Sequence, residues 1–175
     1  TIVFANQKGG VGKTTSAVNI AAALAASGKQ VVLVDSDPQG NATSGLGISK
    51  KNAGNTVYDL LIGRARAGES AVNTRFRGLY VIPSSINLVG AEIELVDEPR
   101  REYRLRDALA EIRDSFDYII IDSPPSLGLI TINALAAADG VVVPLLCEYY
   151  SLEGLSQLTQ TMKQVQKRYN PSLAL

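Results

Sequence analysis

Residues 4–15 read FANQKGGVGKTT. An apolar lead-in passes through two polar residues into a glycine-rich run, and an alanine-rich segment, SAVNIAAALAAS, follows directly. A glycine loop between a buried strand and the start of a helix is an anion cradle. Its main-chain N–H groups point inward, and the helix dipole adds positive potential. Lys13 has the reach to hold the outer phosphates of a nucleotide, and the Thr14 hydroxyl suits Mg²⁺. Gly9, Gly10, Val11, Gly12, Lys13, Thr14 and Thr15 are therefore the candidate nucleotide contacts. The run departs from the common GxxxxGK[ST] pattern. Gln7 stands at the first glycine position and Lys8 follows it, giving a second lysine beside the loop. Taken alone, Lys8 is a surface lysine.

Working outward, TIVFAN reads as a buried strand ahead of the loop. KTTSAVNIAAALAAS reads as a helix burying Ala17, Ile20, Ala21, Leu24 and Ala25, with Gly28 where a C-terminal cap belongs. QVVLVD is a second strand, apolar on both faces as in parallel sheets. Residues 38–56 read as loop, and TVYDLLIG as a short helix. GLYVIPS is a third strand, NLVGAEIELV and EYRLRDALAEIRDSF are helices, and YIIID is a fourth strand stopped by Pro124-Pro125. LGLITINALAAA is a helix leading through Asp139-Gly140 into the strand VVVPL. Ser151 is expected to cap a last helix with Leu152, Leu155, Leu158, Met162, Val165 and Tyr169 on one stripe, stopped at Asn170-Pro171. Strands alternating with helices predict an α/β fold, a doubly wound and mostly parallel sheet with helices on both faces.

The composition narrows the chemistry. Among 175 residues, 17 basic and 17 acidic side chains cancel, so no global charge argues for nucleic acid or an anionic membrane. There is no histidine and one cysteine, Cys147, which excludes histidine catalysis and any cysteine cluster or disulfide within one chain. A reducing cytoplasm fits. Cys147 reads as a small apolar filler. Arg100, Arg101, Arg104 and Arg106, interleaved with acids, read as a solvated helix face. Tyr149 and Tyr150 could be core or edge aromatics.

Three carboxylates end strands. Asp122 closes YIIID, where a carboxylate beside a phosphate loop could hold Mg²⁺ through a water. The alternative is a strand-end aspartate capping the turn after it. Asp35 and Asp37 end the second strand, and without further information DSDP is a strand-ending turn.

As a set, KGGVGKT, VDSDPQGNATSGLG, IIIDSPPSLG and EYYSLEG closely resemble the deviant Walker A ATPases of the MinD/ParA group, and within it the ParA/Soj partition ATPases. The resemblance runs over nearly the whole chain and is least distinctive at 49–80. It implies a P-loop NTPase fold, ATP and Mg²⁺ as ligands, and slow ATP hydrolysis. It implies an ATP-bound sandwich homodimer in which Lys8 crosses to the partner's phosphates. It gives Asp37 the role of orienting the attacking water, leaving Asp35 structural. Catalytic candidates are then Lys8, Lys13 and Asp37, and metal candidates are Thr14 and Asp122. The implied partners are nonspecific DNA and a ParB-type centromere-binding protein, with a cytoplasmic, nucleoid-associated location and no membrane.

A MinD-type regulator of cell division at the membrane is the alternative, and DPQGNATSGLG favours the partition group. One cysteine per chain argues against a nitrogenase-type cluster bridge, which takes two. A metabolic ligase would need a substrate pocket for which no motif speaks. The chain starts on a strand without methionine and stops at NPSLAL, so residues 1–175 are expected to be one ATPase domain lacking C-terminal strands and helices. On that expectation the VVVPL strand lies at an edge, and the apolar face of helix 152–169 is largely exposed.

Overall fold

The structure, a computed structural model, describes residues 1–50, 53–147 and 149–175. Five apolar runs form its parallel strands. They are β1 (Ile2–Phe4), β2 (Val31–Asp35), β4 (Leu79–Ile82), β5 (Tyr118–Asp122) and β6 (Gly140–Val142). A two-residue strand, β3 (Val72–Asn73), joins antiparallel to β4, and the sheet order is β3-β4-β2-β5-β1-β6. Every residue of β2 is buried, as its uninterrupted apolar sequence requires of a strand covered on both faces. Val31 and Leu33 face one core, while Val32 and Val34 face the other, which is the two-residue period of a strand.

The first core lies under α1 (Lys13–Ala26), which sets Ala17, Ala21 and Ala25 on Phe4, Leu33 and Ile120. Alanines at this spacing let the helix backbone approach the sheet closely. Gly28, with φ 91°, ends α1 in the left-handed conformation that favours glycine. Ile20 does not join this core: it is 42% exposed, on the flank of the helix where the alanine stripe has already turned away. The second core is larger. It gathers Leu60 and Leu61 of α3 (Val57–Leu61), Leu88 of α5 (Leu88–Glu94), Leu105 of α6 (Arg104–Leu109), Ile130 of α7 (Leu129–Ala137) and Leu158 of α8 (Tyr149–Arg168). Doubly wound α/β architecture is thus the fold.

Several elements differ from the sequence reading. The 38–56 segment contains a helical turn, α2 (Asn41–Gly45), which the glycines and asparagine conceal. A turn α4 (Ala67–Ser70) and β3 precede β4 where no pattern marked them. The segment expected as one helix over 102–116 is α6 flanked by 3₁₀ turns at Arg101–Tyr103 and Ala110–Ser115. Asn133 of α7 supplies the reason at its start: its Oδ1 accepts the Leu105 N–H at 3.1 Å and its Nδ2 donates to the Arg101 carbonyl at 2.9 Å. Capping from another helix decides where α6 begins, and propensity along the segment does not show it.

Ser151 lies within α8, which begins at Tyr149, so it is not the cap. The expected exposure of this helix's apolar face is also corrected. Leu158, Met162 and Val165 are buried, and Asn170 Nδ2 ties the helix end to the carbonyls of Leu135 and Ala138. β6 is an edge strand, paired with β1 on one side and met on the other, among the described residues, by an isolated parallel bridge from Ala174 to Gly140. Cys147 is exposed rather than a packed filler. The side chains of Tyr149, Tyr150 and Leu152 lie outside the described residues.

Candidate nucleotide and metal site

β1 delivers the chain to the glycine loop at the C-terminal edge of the sheet, where ligands gather in open α/β folds. Asn6 fixes the entry. Its Nδ2 donates to the Pro144 carbonyl at 2.8 Å and its Oδ1 accepts the Lys8 N–H at 3.0 Å, so one buried side chain ties the loop to the segment after β6. Gly10 and Gly12 have φ values of 75° and 88°, which only glycine adopts without strain. Gly12 is the residue before α1, and no side chain caps the helix there. The first N–H groups of α1 are therefore left to an outside acceptor, as an anion site requires.

A cleft of about 590 Å³ opens on this end. Gly9, Gly10, Gly12, Lys13, Thr14 and Thr15 form one wall, Asp37, Pro38, Gln39 and Asn41 another, and Val89 and Pro125 close it. Val11 is buried beneath the loop. Lys13 is buried too, its ammonium donating to the Lys8 carbonyl at 3.2 Å. Burial pushes its pKa below the ordinary lysine value, against the pull of Asp122 and Asp37. Lys8 stands partly buried at the start of the loop and outside the lining of the cleft.

Asp35 and Asp122 are register partners at the ends of neighbouring strands, and both are fully buried. Asp35 is well satisfied. Its Oδ2 accepts the Thr43 N–H at 2.7 Å and the Thr43 hydroxyl at 2.6 Å, and its Oδ1 accepts the Asp37 N–H at 3.2 Å. The Thr43 hydroxyl oxygen in turn accepts the Ser84 N–H at 3.0 Å, extending the network to the chain after β4. Burial still raises the Asp35 pKa, and these bonds oppose it. Asp122 has no such support: among the described residues neither carboxylate oxygen has a hydrogen-bond partner. Burial raises its pKa to about 7. The Thr14 hydroxyl lies near enough to oppose the rise without reaching hydrogen-bond geometry, and Asp35 and Asp37 add to it. Asp37 accepts the Gln39 N–H at 2.9 Å in a tight turn and faces the cleft.

An orphaned buried carboxylate beside a threonine hydroxyl fits a hard divalent cation. Mg²⁺ suits this donor set, because it takes one or two protein oxygens and completes its shell with water and phosphate. Among the described residues no three acidic, cysteine or histidine side chains form a ready-made metal cage.

The AAA domain family matches residues 1–175, the whole chain. A chromosome partitioning protein ParA of Myxococcus xanthus is 55% identical over 99% of this chain. The sporulation initiation inhibitor protein Soj of Bacillus subtilis is 57% identical over 99% of it. The chain belongs to the ParA/Soj family. It spans 62% of the Myxococcus protein's length and 69% of the Bacillus protein's. A solved structure of similar form is the cobyrinic acid a,c-diamide synthase of Mycobacterium smegmatis with bound ADP and magnesium. It has TM-score 0.95 and 44% identity, over 99% of this chain and 71% of that one. A Cyanothece McdA variant in complex with ATP has TM-score 0.93 and 27% identity, over 99% of this chain and 67% of that one.

Sequence reasoning named the ParA/Soj loop, its lysines and the three aspartates. It missed Asn6, Thr43 and Ser84, which hold the site's frame. A lone asparagine ending a strand before the loop was the available signal for Asn6; nothing local marked the other two.

Proposed function

We propose that this chain binds ATP with Mg²⁺ and hydrolyses it, as the nucleotide-dependent switch of a DNA-partition system. The observation that carries the reading is the buried Asp122 carboxylate without a partner, set beside Thr14 and Lys13 at an uncapped helix start. The names of the ParA and Soj relatives, and the nucleotides bound in similar structures, support it.

In this reading the N–H groups of Gly9 to Thr15 receive the phosphates and Lys13 neutralises the outer ones. Thr14 and Asp122 hold the cation, which would supply charge neutralisation across the phosphate oxygens. Asp37 positions the attacking water. A carboxylate is a weak base at neutral pH, so orientation rather than proton removal is its contribution. Lys8 acts on phosphates held by a second copy, as an arginine finger does in trans. ATP then favours a dimer, the dimer binds DNA without sequence preference, and a ParB-type partner accelerates hydrolysis and release. The location is cytoplasmic and nucleoid-associated. No helix among the described residues is long and apolar enough to cross a membrane.

Sedimentation of the full-length protein with ATP, against plasmid DNA and against anionic liposomes, tests the reading. Co-sedimentation with DNA alone supports partition. Binding to liposomes alone supports a MinD-type regulator instead. ATP turnover that appears only with cobyrinic acid and an amide donor would replace both with the reaction named for the Mycobacterium relative. Lys13→Ala is expected to abolish nucleotide binding, and Lys8→Ala to spare it while losing the ATP-dependent dimer. A Lys8→Ala protein that dimerises and hydrolyses ATP normally removes the trans role.

A further inference from the structure

A second cleft, of about 530 Å³, opens at the other end of the sheet, between the C-terminal end of α1 and the turn that joins β3 to β4. The length of β2 separates it from the nucleotide cleft, about 17 Å for five residues. Its volume suits a small molecule. Ala22, Ala25 and Ala26 line it from the helix, and Phe76, 40% exposed, lines it from the turn. Lys29, Arg75 and Arg77 stand around it, all exposed. The Arg75 guanidinium lies over the Phe76 ring, 5.0 Å from its centroid. Lys29 meets Asp117 at 4.0 Å, the limit of an ion pair, while Arg75 and Arg77 have no ion pair among the described residues. No acidic side chain among them lines the cleft. With Asp117 counted against the three cations, two positive charges remain. The C-terminal end of α1 sets the equivalent of about half a negative charge against them, so the balance favours an anion.

The turn is held closed by its own hydrogen bonds. Thr74 Oγ1 accepts the Phe76 N–H at 3.1 Å and donates to the Leu79 carbonyl at 2.8 Å, and the Leu79 N–H donates to the Phe76 carbonyl at 3.1 Å. The Val31 N–H donates to the Gly78 carbonyl at 2.8 Å, which ties the turn to β2. Gly78 has φ 79°, and a Cβ there would stand 2.9 Å from the Lys29 carbonyl, so glycine lets the turn close on the segment after α1. The backbone that presents the ring and its flanking arginines is thus set before anything binds.

We propose that this cleft binds a nucleoside phosphate whose base is unpaired, the base stacking on Phe76 and the phosphate held by Lys29, Arg75 and Arg77. An aromatic ring flanked by cations matches a ligand that is flat and apolar in one part and anionic in the next. The Gln30 side-chain amide also lines the cleft, makes no hydrogen bond among the described residues, and offers the base a donor and an acceptor. A DNA duplex keeps its bases inside and presents its phosphates outward, which would leave the ring and the alanines without a partner. An anionic bilayer takes up aromatic side chains that protrude, whereas Phe76 lines a concave surface. The inference goes beyond the partition reading and does not depend on it.

The test uses the full-length protein and 2-aminopurine riboside 5′-monophosphate, a fluorescent nucleotide that is quenched when its base stacks and that lacks the outer phosphates. It is expected to bind at least about tenfold more tightly than the same riboside without phosphate. Phe76→Leu, and separately Arg75→Gln with Arg77→Gln, should each weaken binding by about tenfold or more, with circular dichroism unchanged. Lys13→Ala should leave it unchanged. Displacement at the lower concentration by adenosine monophosphate supports the proposal with a free nucleotide as the source. Displacement at the lower concentration by a single-stranded oligonucleotide supports it with an unpaired strand as the source. No binding of the probe, equal binding with and without the phosphate, binding that survives both variants, or binding lost in Lys13→Ala overturns the proposal. Variants that lose co-sedimentation with duplex DNA or anionic vesicles while binding the probe as before would assign the cleft to those surfaces and also overturn it.

Discussion

The ends of β2 and β5 look alike in sequence and behave differently in the structure. VVLVD and YIIID each run apolar residues into a terminal aspartate, and the two aspartates sit side by side in register. Among the described residues Asp35 accepts three hydrogen bonds, while Asp122 accepts none. The first carboxylate is occupied with holding its own protein together, and the second is kept available. A buried charge without partners costs stability, so its presence points to a ligand that supplies the missing contacts.

The contrast breaks most decisively at Asp122. Asp122→Asn is expected to lower ATP hydrolysis by about 10²-fold or more, the scale of losing a group that acts on transition-state charge. The same variant should raise the melting temperature of the nucleotide-free protein, because a neutral amide removes the desolvated charge. Steady-state turnover and thermal denaturation on one preparation check both. A variant that loses stability instead would place Asp122 with Asp35 as a framework residue.

Asp35→Ala should do the reverse. Leaving the Thr43 N–H and hydroxyl buried without an acceptor is expected to cost about 2–4 kcal/mol, read as a shift in the urea midpoint. A loss under about 0.5 kcal/mol would mean that the network is dispensable.

The third test is the pH dependence of stability. The folded-state pKa of Asp122 is raised to about 7 from 3.8, so between these values the folded protein holds a proton that the unfolded chain has released. Stability without nucleotide is therefore expected to fall as pH rises from about 4 to 7, by about 2–4 kcal/mol, and to level off above. Asp35 is shifted in the same direction. Asp122→Asn should flatten most of this slope, and an unchanged slope would place its origin elsewhere. The smallest effect is expected at Thr43→Val, which removes one hydroxyl bond to Asp35 and the acceptor for the Ser84 N–H, for about 1–2 kcal/mol.

The loop, the parallel strands and the identity of the paired aspartates were legible because each depends on neighbours in sequence. Glycines at left-handed positions, a lysine after them and β-branched runs are local signals. The different fates of Asp35 and Asp122 were not legible, because the donors to Asp35 come from Thr43, on a turn hidden within a polar loop. Ile20 fits a helical stripe and is nevertheless exposed, since Ala17, Ala21 and Ala25 form the face of the helix that is buried on the sheet. The start of α6 depends on Asn133, distant in sequence, and β3 is too short to leave a pattern.

The Asp35 network also governs how the segment between Asp35 and Thr43 can move. Both feet of that hoop are pinned to one carboxylate, by the Asp37 N–H on one side and Thr43 on the other. Its crown, at Pro38 and Gln39, is held in turn by the Gln39 N–H on Asp37 Oδ1, by the Gly40 N–H on the Asp37 carbonyl and by the Lys50 ammonium on the Gln39 carbonyl. A spectroscopic label on the exposed Gln39 side chain would consequently report motion of small amplitude, and amide exchange at Thr43, whose N–H is buried on Asp35, would be slow.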